Sequence, residues 1–332
     1  MENKLNMSFS PHIHSGDSVQ RNMYGVLIAL IPALLVGFWA FGLGAVVVTI
    51  TSVVSCLFFE WFIVKYVMKR SQNTLKDGSA LITGVLLAMN LPSNLPVWIV
   101  MAGALFSIGV VKMSFGGLGC NIVNPALAGR VFLLISFPVQ MTSWPLPGQW
   151  TRYMDAVTGA TPLSYMKQAA SGGDVQGLLD QLPRLGNYFL GTGEGGSVGE
   201  LSVLAILIGF LFMWGRKIIT WHIPASILLS VLVFGGLLHL IDPMAYTSPW
   251  MHLATGGLVL GAVFMATDYV TSPMTPKGMW IYGVAIGFLT VVIRCFGAYP
   301  EGISFAILIM NVFTPLINTC CKPHRFGKEA KV

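Results

Sequence analysis

Charged side chains are scarce in this chain of 332 residues: Asp, Glu, Lys and Arg make up 10%, whereas hydrophobic residues make up 55%. An average soluble domain contains about 25% charged residues. The shortage of charge therefore excludes an ordinary soluble globular protein. The excess of apolar residues predicts a polytopic membrane protein.

Spacings typical of metal sites are also lacking. The five cysteines show no C-x-x-C spacing; they are Cys56, Cys120, Cys295, Cys320 and Cys321. Iron–sulfur clusters and structural zinc are usually held by cysteines at such short spacings, so we expect no metal site formed by this chain alone. The six histidines contain no i,i+4 pair, and we assign no catalytic residue.

A cleavable signal peptide is not evident either. The first apolar run follows a polar leader that ends at Arg21, and no small-residue cleavage site lies behind that run. A signal peptide would combine a short apolar region with such a cleavage site. We therefore expect the first helix to remain as a membrane anchor.

Long apolar segments dominate the rest of the chain, and each is close to the roughly 20 residues that cross a bilayer. In the first half they are Tyr24–Ala40, Leu43–Val64, Ser79–Met89, Leu95–Val111 and Ile122–Pro138. In the second half they are Leu201–Trp214, His222–Ile241, Leu253–Thr267, Met279–Phe296 and Ile303–Thr319. The sequence thus predicts an all-α protein with about ten transmembrane helices.

Five spans in each half set the expected organisation. We predict a leader at 1–23, a five-helix repeat at 24–138, a loop at 139–200, a second five-helix repeat at 201–319 and a basic tail at 320–332. Because five is odd, two related halves would lie in opposite orientations, which is the inverted-repeat arrangement of many transporters.

The distribution of cations predicts the orientation, because loops rich in Lys and Arg remain in the cytoplasm. With the N-terminus inside, the cytoplasmic segments collect Lys4, Arg21, Lys65, Lys69, Arg70, Lys76, Lys112, Arg216, Lys217, Lys277, Lys322, Arg325, Lys328 and Lys331. The opposite side holds Arg152, Lys167, Arg184 and Arg294. Both termini are therefore expected in the cytoplasm and loop 139–200 outside it. This asymmetry accounts for the net charge of +6 without a nucleic-acid partner.

The third span of each half contains a break signal. Leu81–Gly84 (LITG) opens one short span, and Leu253–Gly256 (LATG) opens its counterpart. Short or Gly-rich spans in matching positions point to a midplane site, because broken helices free backbone groups for ligands or ions. The alternative is that the small residues only allow helices to pack closely.

Ionisable residues at membrane depth are costly and are functional hypotheses by default. Asp268 ends the broken third span of the second half and is the preferred ion-path residue. Asp77, close to an interface, and Glu60 are further ion-path candidates. For Glu60 we favour an orientation toward water near Lys65, in the manner of long side chains that snorkel.

A motif in loop 139–200 suggests a cofactor. Asp155–Thr161 reads D-A-V-T-G-A-T, and four small residues before a proline could simply form a turn. The stretch nevertheless resembles the D-x-x-[ST]-G-A-T signature of proteins that carry flavin mononucleotide (FMN) esterified through its phosphate to the last threonine. The resemblance implies covalent FMN at Thr161, with Asp155, Thr158, Gly159 and Ala160 completing the motif.

Further segments resemble one family along nearly the whole chain. They are Ser10–His12 (SPH), Thr74–Ala80 (TLKDGSA), Gly116–Gly119 (GGLG), Asn121–Leu127 (NIVNPAL), Phe264–Asp268 (FMATD) and Tyr299–Gly302 (YPEG). Together they resemble the D subunit of the Rnf complex, the ion-translocating ferredoxin:NAD⁺ oxidoreductase, and its relative, the B subunit of the sodium-pumping NADH:quinone oxidoreductase. Two positions depart from the family pattern: Tyr269 replaces the usual proline, and Cys120 replaces a polar residue.

This resemblance implies a component of a redox-driven Na⁺ or H⁺ pump in the bacterial cytoplasmic membrane, which is not a complete enzyme alone. Its implied partners are the A, B, C, E and G subunits of the Rnf complex, a flavin transferase, membrane lipid, and indirectly ferredoxin and NAD. A second, non-covalent flavin, riboflavin, is implied near Asn121, Asn124 and Arg130. Asn121 and Asn124 could instead cap the helix that begins at Pro125. Arg130 could pair with a carboxylate or with a flavin.

Two rival functions remain open at this point. Two inverted five-span repeats also suit a passive solute channel or transporter, and only the Thr161 motif argues specifically against that function. The quinone-reducing relative would use the same flavin chemistry with other electron donors and acceptors.

Overall fold

The computed structural model describes residues 17–70, 74–170, 185–191, 195–243, 246–299 and 301–322. Most of the predicted leader and tail, and the SPH segment, lie outside these described residues. Every residue singled out above as a site candidate lies within them.

The first half consists of five helices and their extensions. These are α1 (Val19–Phe41), α2 (Leu43–Phe62, continued by a π-helical turn at Ile63–Val67), α3 (Ser79–Met89), α4 (Val97–Leu105, continued by a π-helix at Phe106–Met113) and α5 (Pro125–Ser136). A 3₁₀ turn, Thr74–Asp77, precedes α3.

The connecting loop contains short elements: α6 (Pro138–Met141), β1 (Trp144–Pro145), β2 (Thr158–Gly159), α7 (Pro162–Ala170) and α8 (Leu185–Leu190). β1 and β2 pair antiparallel, with Trp144 opposite Gly159. The loop thus adds a two-stranded ribbon to a chain whose predicted class was all-α.

The second half contains α9 (Val203–Gly215), α10 (His222–Ile241), α11 (Pro249–Ala254), α12 (Leu258–Leu260, continued by a π-helix at Gly261–Met265), α13 (Pro276–Phe296) and α14 (Ile303–Cys320). α11 and α12 together form the third span. Within the described residues, five helices, α1, α2, α10, α13 and α14, are long and apolar enough to cross a membrane, and four shorter apolar helices accompany them. The prediction of a mostly helical polytopic membrane protein is confirmed.

Local sequence explains where the helices begin. Ser18 and Ser202 accept backbone hydrogen bonds at the starts of α1 and α9. Asn124 and Thr275 do the same for α5 and α13, and each is followed by a proline. A hydroxyl or carboxamide oxygen satisfies amide groups that lack an intrahelical partner, and proline fits the first helical position because it has no N–H to lose.

Helix packing follows the same pattern in the two halves. The second helix packs on the third and on the fourth in each half, as α2 does on α3 and α4, and as α10 does on α11 and α13. The fourth helix also packs on the fifth in each half. Two contacts between the halves join helices in matching positions: α1 packs on α9, the first helix of each half, and α5 packs on α14, the fifth. This pattern agrees with two repeats, while their inverted orientation in a membrane remains a prediction.

The third span of the first half, α3, is a short continuous helix and is not broken as the sequence predicted. The third span of the second half is interrupted, but not where the sequence placed its break. Its helix begins at Pro249, before the predicted start at Leu253, and it breaks after Ala254. Gly256 and Gly257 adopt positive φ angles of 73° and 62°, a left-handed conformation that costs other L-residues energy. The glycines therefore terminate the first piece of this span instead of opening the span.

Candidate functional site

Thr161 lies directly before α7 and serves as its capping residue. Its Oγ1 accepts a hydrogen bond from the Ser164 amide at 3.3 Å, and the residue is 7% exposed. The first amides of a helix and its dipole favour an anion at this end. Thr161 is thus placed where a phosphate ester would be stabilised. Three other residues of the motif, Asp155, Thr158 and Ala160, are exposed.

α7 is anchored to the broken third span of the second half. Leu163 and Met166 form a small buried cluster with Met251 and Ala254 of α11. A Cβ added to Gly256 would lie 2.1 Å from Leu163 Cδ1, so the absence of a side chain at Gly256 permits the close approach of α7. The helix that follows Thr161 and the interruption of this span therefore form one packed unit.

A small cavity of about 20 Å³ adjoins Thr161, and we call it the Thr161 cavity. Its wall is formed by Thr161, Pro162, Leu163, Gly195, Glu200, Leu201, Ala254, Thr255, Gly256 and Glu301. Two carboxylates, Glu200 and Glu301, thus share this small space with the threonine hydroxyl.

Buried arginines compensate these carboxylates. Arg130 of α5 forms an ion pair with Glu301, and it also donates to Ser304 Oγ at 2.7 Å and to Asn90 Oδ1 at 3.2 Å. Of the two partners left open for Arg130 by the sequence, the structure provides the carboxylate. Glu200 lies within the electrostatic reach of Arg130 and accepts from Ser197 Oγ at 2.9 Å. Burial raises the pKa of the Glu200 carboxyl, and the Arg130 guanidinium opposes that rise.

Arg294 caps the interruption of the third span. Its guanidinium donates to the carbonyls of His252 at 2.6 Å, Thr255 at 2.9 Å and Gly256 at 3.3 Å. Carbonyls at the end of a helix lack intrahelical donors, and the guanidinium supplies them. The sequence assigned Arg294 to the outer side as a loop charge, but the residue is buried.

A second and larger cavity, of about 100 Å³, is lined by Asn121, and we call it the Asn121 cavity. Its apolar lining includes Ile82, Leu86, Ile218, Ile219 and Phe264, and its polar lining includes Ser79, Thr83, Lys112, Asn121, Asn124, Thr267 and Asp268. The site predicted from Asn121, Asn124 and Arg130 is therefore divided, because Arg130 contacts the wall of the other cavity.

The capping interpretation of Asn124 is confirmed. Its Oδ1 accepts from the amides of Ala126 at 3.0 Å and Leu127 at 3.3 Å, and its Nδ2 donates to the Met265 carbonyl at 3.2 Å. Asn121 makes fewer hydrogen bonds to the backbone: its Nδ2 donates to the Val123 carbonyl at 3.2 Å. Its side chain also interacts with the carboxylate of Asp268. The Asp268 carboxylate is also bound by Thr271 and by the amides of Tyr269 and Val270, so of the two asparagines on this wall Asn121 is the one that does not cap α5.

Glu60 does not extend toward water as the sequence suggested. It is 1% exposed and accepts a hydrogen bond from Lys112 Nζ at 2.6 Å. Lys65 instead lies over the Trp61 ring, 5.0 Å from its centroid. Lys112 also donates to Ser79 Oγ at 2.7 Å. Because a buried cation in the π-helix that continues α4 is available to Glu60, the carboxylate need not reach solvent.

Asp77 is connected to the same group of residues. Ser79 donates to Asp77 Oδ1 both from its amide, at 2.9 Å, and from its hydroxyl, at 2.6 Å. The series of contacts therefore runs from the partly exposed Asp77 through Ser79 and Lys112 to the buried Glu60. The structure thus joins two of the three ion-path candidates, and it places the third, Asp268, on the wall of the Asn121 cavity.

Four charged residues of these sites were not predicted as site residues from the sequence: Lys112, Glu200, Arg294 and Glu301. Lys112 and Arg294 were counted as loop cations, although each ends a long apolar stretch. Glu200 stands at the end of the predicted loop, and Glu301 belongs to the YPEG segment. Their closeness to apolar segments was the available signal, because a charge at the end of a span can turn inward to a partner.

Comparison with known proteins places the chain among relatives along almost its entire length. It is 44% identical to the D subunit of the Na⁺-translocating ferredoxin:NAD⁺ oxidoreductase complex of Acetobacterium woodii, covering 99% of each chain. It is 40% identical to the D subunit of the proton-translocating ferredoxin:NAD⁺ oxidoreductase complex of Clostridium ljungdahlii, covering 98% of this chain and 97% of the relative. It is 39% identical to the D subunit of the ion-translocating oxidoreductase complex of Stutzerimonas stutzeri, covering 95% of this chain and 94% of the relative. Residues 6–327 match the model of the NQR2, RnfD, RnfE family, to which the chain therefore belongs.

Proposed function

We propose that this chain is the D subunit of an Rnf-type, ion-translocating ferredoxin:NAD⁺ oxidoreductase complex and that it carries electrons on FMN esterified to Thr161. The names of its full-length relatives support the complex. The placement of Thr161 supports the cofactor, because the hydroxyl lies at the start of α7 and on the wall of a cavity.

The residues around Thr161 fit a phosphate ester. The α7 amides and the helix dipole face the position that a phosphate on Oγ1 would take. Arg130 and Arg294 offset the two carboxylates of the cavity, so that these do not leave the site strongly negative. When bound, FMN supplies reversible electron transfer, and the protein contributes position and electrostatics. A covalent bond also keeps the flavin at high effective concentration at the membrane surface.

The Asn121 cavity is proposed to hold a second, non-covalent flavin, riboflavin. Its volume is about 100 Å³, below the roughly 300–1,000 Å³ of typical small-molecule pockets, so riboflavin would bind only if the walls move apart. Ile82, Leu86 and Phe264 offer apolar surface for a planar ring, and Asn121 and Thr83 offer hydrogen bonds to its polar edge. Asn124 would contribute less, because its side chain already caps α5.

The proposed location is a bacterial cytoplasmic membrane, with both termini in the cytoplasm and the Thr161 loop outside. The proposed partners are the A, B, C, E and G subunits of the Rnf complex, a flavin transferase that attaches FMN, and, through the other subunits, ferredoxin and NAD. Coupling to either Na⁺ or H⁺ is consistent with the relatives, whose names include both ions. Glu60, Asp77 and Asp268 are the proposed ion-path residues.

Covalent flavin provides the direct test. The protein is isolated from its native host, run on a denaturing gel under ultraviolet light, and the peptide containing Thr161 is analysed by mass spectrometry. We expect a fluorescent band with an FMN adduct at Thr161, and loss of both in Thr161→Ala. Thr142→Ala is the matched control, because Thr142 is another threonine of the same loop and its hydroxyl contacts the Pro138 carbonyl.

Absence of an adduct in the presence of an active flavin transferase would refute the proposed electron-carrier function. A channel or transporter would then be the better interpretation of the two five-span halves. If the adduct is found, the neighbouring subunits that co-purify distinguish the Rnf-type complex from the quinone-reducing one.

A further inference from the structure

Lys112 has an unusual position for a lysine. It lies in the π-helix that continues α4, is 3% exposed, and lines the Asn121 cavity. Glu60 is not among the residues that line this cavity. Because Lys112 Nζ is 2.6 Å from Glu60 Oε2, the ammonium group lies between the buried carboxylate and the cavity.

The ammonium group retains donor capacity toward the cavity. It has three N–H donors, and two are directed to Glu60 and to Ser79 Oγ. These two contacts hold Nζ in place and use two of its three donors. π-helical turns often occur at functional sites, and here the π-helix carries Lys112 at the cavity wall.

Other charges around the cavity are few and can be named. Asp268 lines the same wall and interacts with Asn121 and Thr271. Asp77 reaches Lys112 only through Ser79. Among the described residues that line this cavity, Lys112 is the basic one. It therefore dominates the attraction that the wall exerts on an electron-rich ligand.

We propose that Lys112 makes the Asn121 cavity prefer reduced over oxidised flavin, and that Glu60 sets the strength of this preference. The inference rests on the proposed riboflavin site and adds the residue that controls its affinity in each redox state. A reduced flavin ring carries more negative charge than the oxidised ring, so a nearby cation favours it and a nearby carboxylate opposes it. The two members of the ion pair must therefore act in opposite directions.

The test uses the full chain, produced in a host without the flavin transferase so that Thr161 carries no flavin. The dissociation constant of added riboflavin is measured by equilibrium dialysis, once in air and once under anaerobic dithionite. The ratio of the two constants is the readout. We expect Lys112→Gln to reduce the preference for reduced riboflavin by about tenfold and Glu60→Gln to increase it.

Two further variants control for folding. Lys112→Arg keeps the positive charge and should keep the preference for the reduced form. The double variant Glu60→Gln/Lys112→Gln has no uncompensated buried charge. Its preference for the reduced form should lie between those of Lys112→Gln, which keeps the opposing Glu60 carboxylate, and wild type. If a single variant does not fold, the double variant compared with Lys112→Arg still measures the net effect of the pair, which the nearer cation dominates.

Equal ratios in the double variant and in Lys112→Arg would overturn the inference, as would a shift of Lys112→Gln and Glu60→Gln in the same direction. Failure of the wild-type chain to bind riboflavin would overturn both the riboflavin proposal and this inference. That failure is distinguishable from failure of the FMN proposal, which is decided by the adduct at Thr161 in the native host.

Discussion

Arg130 of α5 forms a buried ion pair with Glu301, which lies in the turn between α13 and α14. The same guanidinium contacts Asn90, directly after α3, and Ser304, in the first turn of α14. One side chain thus joins elements from both halves of the chain. Glu301 also lines the Thr161 cavity, so the pair links the packing between the halves to the proposed cofactor site.

Breaking this pair should be costly. Removing one partner of a buried ion pair typically costs about 3–5 kcal/mol, because the other charge is left uncompensated. We expect Glu301→Gln and Arg130→Met each to lower the melting temperature of the detergent-solubilised protein. The double variant should recover part of the loss. If the two losses simply added, the pair would not be a coupled unit.

A second prediction concerns Arg294. Arg294→Met would leave the carbonyls of His252, Thr255 and Gly256 without their donor, and an unsatisfied buried group costs about 1–3 kcal/mol. We expect faster hydrogen–deuterium exchange in the peptide that contains α11. Arg294→Lys should fall between wild type and Arg294→Met, because lysine retains the charge but lacks the planar fork of donors. Unchanged exchange in Arg294→Met would contradict a capping role.

A third prediction concerns the contact between α7 and the broken span. In Gly256→Ala, the new Cβ would meet Leu163 Cδ1 at 2.1 Å, and φ is 73°. Overpacking costs about 1–3 kcal/mol, and the left-handed backbone adds about 1–2 kcal/mol. We expect a lower melting temperature and less FMN on Thr161. Gly236→Ala, where an added Cβ meets nothing within 4 Å, is the control and should leave both unchanged.

The fourth prediction concerns orientation. Asp155 is exposed in the loop before Thr161, so Asp155→Cys should react with a membrane-impermeant maleimide in intact cells more than wild type does. The exposed native Cys120 and Cys320 should react in inverted vesicles. Labelling of Asp155→Cys above the wild-type level only in inverted vesicles would reverse the proposed topology.

The sequence predicted those parts of the structure that depend on neighbouring residues. Asn124 followed by Pro125 indicated a helix start, and the structure has one there. The long apolar runs predicted the membrane helices, because span length is a local property. Thr161 was selected by a contiguous motif, and its position at the start of α7 follows from the proline after it.

The ion pairs were not predictable in the same way. Glu60 and Lys112 are 52 positions apart, and Arg130 meets Glu301 only through the packing of α5 near α14. Lys112 and Arg294 were counted among the loop cations that predict orientation. Such a count does not reveal that a side chain turns inward to a buried partner. The break at Gly256 was also misplaced, because hydropathy continues across it and only the backbone conformation reveals it.

Residues one turn apart in α3 are connected to the two cavities. Leu86 lines the Asn121 cavity, and three residues later the Met89 carbonyl accepts a hydrogen bond at 2.8 Å from Gly199, the neighbour of Glu200 in the Thr161 cavity. A helical turn rises about 5.4 Å. α3 therefore forms part of one cavity wall and supports the segment that carries Glu200 in the other, so a substitution that displaces α3 would disturb both cavities at once.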